Sequence, residues 1–88
     1  MPLMHLTKDN FNDTIENNAI VLLDFWAEWC GPCRAVKPVF EKAAESHAEM
    51  TFASCKTEEE MELAWAFQIR SIPSLMVFRE KVLIYAQP

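Results

Sequence analysis

Apolar positions follow two rhythms along this chain of 88 residues. Between 19 and 27, "AIVLLDFWA" is an almost unbroken apolar run. A strand buried on both faces, inside a parallel sheet, has this pattern. "MTFASC" (50–55) predicts a second buried strand, and "LMHL" (3–6) a short edge strand. "SLMVF" (74–78) and "VLIYA" (82–86) stand close together, with Glu80-Lys81 between them. That spacing predicts an antiparallel hairpin.

The other rhythm is helical. Phe11 and Ile15 share one face of a helix expected over 8–17, with Thr7 as its cap and Asp9 in its first turn. Asn17-Asn18 tolerates the left-handed stop that glycine usually supplies. Val36, Val39, Phe40, Ala43 and Ala44 predict a helix over 33–47, which Pro38 should kink. Thr57-Glu58-Glu59-Glu60 reads as a capping box opening a helix over 58–68, and "TEEEME" as its solvated acidic face. The order is β-α-β-α-β-α-β-β, an α/β fold.

Composition narrows the class. The length suits one small domain, and 51% hydrophobic with 24% charged residues suits a globular one. A net charge of −5 argues against nucleic acid or an anionic membrane as the main partner. The start, "MPLMHLTKDN", has no cationic stretch leading into an apolar run, so no secretory leader is expected. No apolar stretch reaches the ~18 residues of a membrane span. A reducing, cytoplasmic setting follows as the expectation. Three cysteines are too few, and odd in number, for a disulfide framework.

Two of those cysteines sit in "WCGPC" (29–33) around the chain's only glycine. They fall where the central strand gives way to a helix. At such an N-terminus, unpaired backbone N–H groups and the helix dipole favour a thiolate. Pro32 suits the first helical turn, where its missing N–H costs nothing. Gly31 is expected to let the chain bend and a substrate approach Cys30. Cys30, first in the motif, is expected to be the more exposed and reactive thiol. Cys33, one turn on, is within reach for a disulfide. The competing reading of C-x-x-C is half of a zinc or iron–sulfur site. Zinc wants four ligands, and His5, His47 and Cys55 are distant in sequence, so such a site would have to be shared between two chains.

Asp24 is a charge inside a buried strand, on the same face as Leu22 and Trp26. Burial should raise its pKa. Either hydrogen bonds to local backbone or water hold it, or it serves Cys33 as a proton acceptor. Cys55 reads as a small buried hydrophobe, His5 and His47 as surface residues, Trp26 as core, and Trp65 as a packing residue on its helix.

"DFWAEWCGPC" (24–33), Pro38 in the following helix and "SIPS" (71–74) before a hairpin together resemble the thioredoxin family. The resemblance runs from about Leu6 to the end of the chain. It implies a mixed five-stranded sheet in the order 1-3-2-4-5, with helices on both faces. It implies that Asp24 accepts the Cys33 proton, through water, and that Pro73 is cis and faces the two cysteines. Trp29, Ile72 and Pro73 would then form the apolar surface that receives an extended substrate; ordinary packing is the other reading of Trp29 and Ile72. The implied activity is protein-disulfide reduction by a redox-active Cys30–Cys33 pair, with no bound cofactor. A separate NADPH-dependent thioredoxin reductase would restore the dithiol.

Two positions depart from the family. Ser54 stands where a lysine usually neighbours the buried aspartate, and Lys81 where the hairpin commonly has glycine. The family's last helix has no counterpart in these residues. Its absence is expected to leave sheet side chains uncovered and to favour a homodimer or an exchange of elements between copies. A thioredoxin-like binding module with little turnover is the alternative to an enzyme.

Overall fold

The structure is a computed structural model that describes residues 3–88. Met1 and Pro2, the first residues of the stretch read as lacking a leader, lie outside the described residues. The elements run β1 (Met4–His5), α1 (Phe11–Asn17), β2 (Ile20–Trp26), α2 (Gly31–Ser46), β3 (Thr51–Lys56), α3 (Met61–Ala66), β4 (Ser74–Arg79) and β5 (Val82–Gln87). The sheet order is β1-β3-β2-β4-β5. β3 lies parallel to β1 and β2, whereas β4 is antiparallel to both β2 and β5. This is the mixed sheet expected.

The apolar run of β2 explains its central place. Val21, Leu23 and Phe25 are fully buried on one face, where Ile15 of α1 and Leu63 of α3 cover them. On the opposite face Leu22 packs with Phe40 and Ala44 of α2 and Phe52 of β3. Neighbours along the strand point to opposite faces, so a strand covered on both faces must be apolar at nearly every position. Asp24 is the exception, and it lies on the α2 face.

Three local expectations are corrected. α1 begins at Phe11, with Asn10 at its N-cap, so Thr7 does not cap it. The Thr7 Oγ1 accepts from the Asn10 N–H at 3.3 Å, and the Asn10 Oδ1 accepts from the Thr7 N–H at 2.8 Å. The reciprocal pair closes a turn of its own before the helix. α3 begins at Met61 with Glu60 at its N-cap, so Thr57 is not a capping-box residue. Its hydroxyl instead donates to the Trp26 carbonyl at 3.2 Å, and the Glu60 carboxylate accepts from the Lys8 N–H at 2.9 Å. Tertiary partners have claimed both ends of the box. Trp65, expected to pack, is 86% exposed because the short α3 turns Leu63 to the sheet instead.

The hairpin turn keeps the left-handed geometry although glycine is missing: φ is 49° at Glu80 and 71° at Lys81. Two successive positive φ values make the turn whose twist matches the flanking strands. β5 is exposed along its length, with Val82, Leu83, Ile84 and Tyr85 open.

Candidate active site

Cys30 is the N-cap of α2, with extended backbone (φ −86°, ψ 110°), and its Sγ accepts from the Cys33 N–H at 3.2 Å. Capping is usually done by an oxygen; here a sulfur takes the position where an anion is favoured. Cys30 and Cys33 are joined as a disulfide with their Cα atoms 5.3 Å apart, within the range such bonds need. Pro32 lies in the first turn.

The structure changes two readings of this motif. Cys30 is not markedly the more exposed: it is 4% and Cys33 3% exposed. The closed pair tucks the Cys30 Sγ against the Cys33 N–H and to within 3.6 Å of the Ile72 carbonyl oxygen. Gly31 does not have a left-handed backbone, so the turn itself does not demand glycine. A Cβ built there meets nothing within 4 Å. What Gly31 preserves is open space at its own position beside Cys30 rather than a bend.

Around the pair, Ala27, Trp26 and Ile72 form a small apolar cluster with the two cysteines. The Ile72–Pro73 bond is cis, and both residues are half-buried. Trp29 stands outside that cluster, 69% exposed. The structure thus brings Ile72 directly against Cys30 and leaves Trp29 free beside them.

Beneath the pair lies a cavity of about 290 Å³, lined by Cys33, Asp24, Trp26 and Ser54 among others. Asp24 is 3% exposed, and its Oδ1 makes no hydrogen bond among the described residues. Burial pushes its carboxyl up to about 6. No protein group among the described residues holds this oxygen. Cys55 is free, and burial with the nearby Glu60 charge pushes its thiol up to about 12. It is an inert core residue, as read.

Lys37 and Lys56 escaped the reading of the sequence. Their ammonium groups lie 5.2 and 5.5 Å from the centroid of the Trp26 ring, within cation–π range. Lys56 also pairs with Glu28 at 2.6 Å. A hydrogen bond and the charge of Lys56 hold the Glu28 carboxyl below its usual value, and the same contact raises Lys56. Trp26 is half-buried among these groups rather than plain core. The signal was available for Lys37, which follows Cys33 at i+4 on the helix and so shares its face. For Lys56 it was not, because its place opposite Trp26 depends on the β2–β3 register. Among the described residues no three His, Cys, Asp or Glu side chains converge as a metal site.

The chain is 54% identical over 85 residues to "Putative thioredoxin 2" of Streptomyces coelicolor, an alignment covering 97% of this chain and 63% of that protein. It thus spans less than two thirds of that relative's length. It is 47% identical over 77 residues to a thioredoxin of Alicyclobacillus acidocaldarius, covering 86% of this chain and 73% of that one. The solved structure of Plasmodium falciparum thioredoxin superposes with a TM-score of 0.91 at 28% identity, covering 97% of this chain and 84% of the other. The thioredoxin family model matches residues 2–86. With a disulfide at the head of α2, a buried carboxylate below it and a sheet of matching order, this chain belongs to the thioredoxin family.

Proposed function

We propose that this chain is a thiol–disulfide oxidoreductase that reduces protein disulfides through Cys30-Gly31-Pro32-Cys33. The observation that carries the reading is a buried carboxylate beside the second cysteine of the pair: Cys33, bonded to the capping Cys30, lines one cavity with Asp24. In the dithiol form the Cys30 thiolate, stabilised at the helix N-terminus, attacks one sulfur of a substrate disulfide. The substrate S–S bond breaks, one substrate thiolate leaves and a mixed disulfide forms. Cys33 gives its proton to the Asp24 carboxylate across the cavity and attacks the Cys30 Sγ. The second substrate thiolate leaves, and Cys30–Cys33 holds the disulfide. The substrate has gained two electrons and the protein has lost two.

Trp29, Ile72 and Pro73 act as the docking surface. An exposed indole supplies apolar area at little entropic cost. Ile72, whose carbonyl lies beside Cys30, sets the edge against which an extended peptide would pair. Gly31 and Pro32 shape the motif and keep it clear. The partners are disulfide-containing proteins and an NADPH-dependent thioredoxin reductase, and the compartment is the cytoplasm. Among the described residues no helix is long and apolar enough to cross a membrane. Residues 1–88 act as a single thioredoxin domain. The Cα radius of gyration, 11.9 Å, agrees with the ~12 Å expected of one compact domain of this length. The apolar side chains exposed on β5 favour homodimer formation or exchange of elements between copies.

The test is insulin reduction with dithiothreitol. Cys30→Ser is expected to abolish catalysis, and Cys33→Ser to accumulate a mixed disulfide visible by mass spectrometry. A parent rate in Cys30→Ser would refute the mechanism. A folded but inactive parent chain would instead favour the binding-module reading.

A further inference from the structure

Asp24 is one member of a row. In the sheet register, Asp24 of β2 pairs with Ser54 of β3, and Ser54 pairs with His5 of β1. All three line the cavity beneath the disulfide, together with Cys33. Adjacent strands are ~4.8 Å apart, so the row reaches about 10 Å from the buried carboxylate to the sheet edge. The inner end is 3% exposed and has an oxygen without a partner. The outer end, His5, is exposed. A water occupies ~30 Å³ in the liquid, so a cavity of about 290 Å³ has room for several.

Asp24 is almost fully buried, so under the mechanism proposed above the proton it takes from Cys33 leaves for solvent by way of the groups and water of this cavity. The row offers a route. Histidine is the side-chain type that gains and loses a proton near neutral pH, and it commonly serves as a shuttle. A serine hydroxyl both donates and accepts. The other charged groups facing the cavity are Lys37 and Glu41, both from α2. Lys56 stands beside Trp26, and β4 presents the apolar Leu75 opposite Asp24. A lysine ammonium has no lone pair with which to accept a proton. Among the described residues lining the cavity, Glu41 is therefore the rival outlet.

We propose that His5 is the solvent end of a proton path, His5–Ser54–Asp24, that resets Asp24 after each turnover. This rests on Asp24 being the acceptor for Cys33. The Asp24 carboxylic acid, carrying the Cys33 proton, passes it by way of Ser54 and cavity water to the free nitrogen of the His5 imidazole. The resulting imidazolium releases it to buffer, and Asp24 is again a carboxylate. No electrons move.

The test is multiple-turnover insulin reduction by the full chain, in dilute buffer over pH 6–8, with and without added imidazole. His5→Gln and the second variant His5→Asn should lose rate several-fold, and imidazole should restore it in a concentration-dependent way. The native chain should not respond to imidazole. Ser54→Val, which replaces the hydroxyl with methyl groups, should lose rate and resist rescue. Glu41→Gln should match the parent. A structural effect at His5 would not be rescued by imidazole, and the bond from Asn10 reaches the His5 main-chain carbonyl, which every variant keeps. Parent rates in both His5 variants, a loss without imidazole rescue, or a loss appearing in Glu41→Gln instead would overturn the path. Asp24→Asn separates the two ideas. If it keeps the full rate, the acceptor reading itself fails; if it is slow while His5→Gln is native, only the path fails.

Discussion

Replacing Asp24 by Asn should stabilise the protein, and by an amount that depends on pH. Burial raises the Asp24 carboxyl from 3.8 to about 6. Below the lower value the group is protonated in both folded and unfolded chains and makes no difference. Between the two values the folded chain keeps a proton that the unfolded chain has lost, so stability falls as pH rises. Above about 6 both forms are ionised and the deficit is constant. A gap of roughly two pH units at ~1.36 kcal/mol each is about 3 kcal/mol, large against a total of ~5–15 kcal/mol. The amide in Asp24→Asn brings its own cost of burial, but that cost does not vary with pH. The measurement is urea unfolding of the oxidised parent and variant at several values between pH 3.5 and 7.5. The disulfide cysteines do not titrate there. The difference in unfolding free energy should move by about 3 kcal/mol in the variant's favour across that range. A difference that stays flat with pH would show that the carboxyl is not held in its charged form at a cost, and the proton-acceptor argument would lose its physical basis.

The same shift sets the catalytic profile: reduction should gain a rising limb near pH 6 as Asp24 ionises, and Asp24→Asn should lose that limb. Gly31→Ala should leave urea stability unchanged or raise it by ~0.4–1 kcal/mol, because the backbone is not left-handed, while slowing reduction of bulky protein disulfides more than of small ones. Equal slowing for both substrates would count against the open-space reading. Lys81→Gly should stabilise by about 1 kcal/mol, since φ there is 71°; an unchanged urea midpoint would contradict it. Trp29→Ala should raise KM for insulin with little change in melting temperature, as befits a side chain 69% exposed.

Much of this molecule is legible from local pattern. The unbroken apolar run at 19–27 announces a strand covered on both faces, since both sets of alternating side chains must avoid water. Val36, Phe40 and Ala44 trace the helix that packs below, and the close spacing of two apolar runs around Glu80-Lys81 demands a hairpin. The buried aspartate is recognisable because it breaks the apolar pattern of its strand, and the cysteine pair and its proline because they suit a helix N-terminus. Helix ends are less legible. Thr7 and Thr57 carry the chemistry of caps, but Thr7 closes a local turn with Asn10, and Thr57 finds the Trp26 carbonyl on another strand.

Strand register cannot be read from any one segment, and the proposed proton path depends on it. His5, Ser54 and Asp24 are 49 and 30 residues apart in the chain, and only the parallel pairing of β1, β3 and β2 sets them in one row. The near-complete burial of Cys30 and the place of Lys37 against Trp26 likewise arise from how α2 settles on the sheet, and Lys56 reaches the same ring through the β2–β3 register. Local sequence dictates periodicity and chemistry because these follow from the bonds and sterics of neighbouring residues. Which groups share a cavity is decided by packing between distant segments, and here that packing sets Asp24 in one cavity with Cys33, with no partner for its Oδ1 among the described residues.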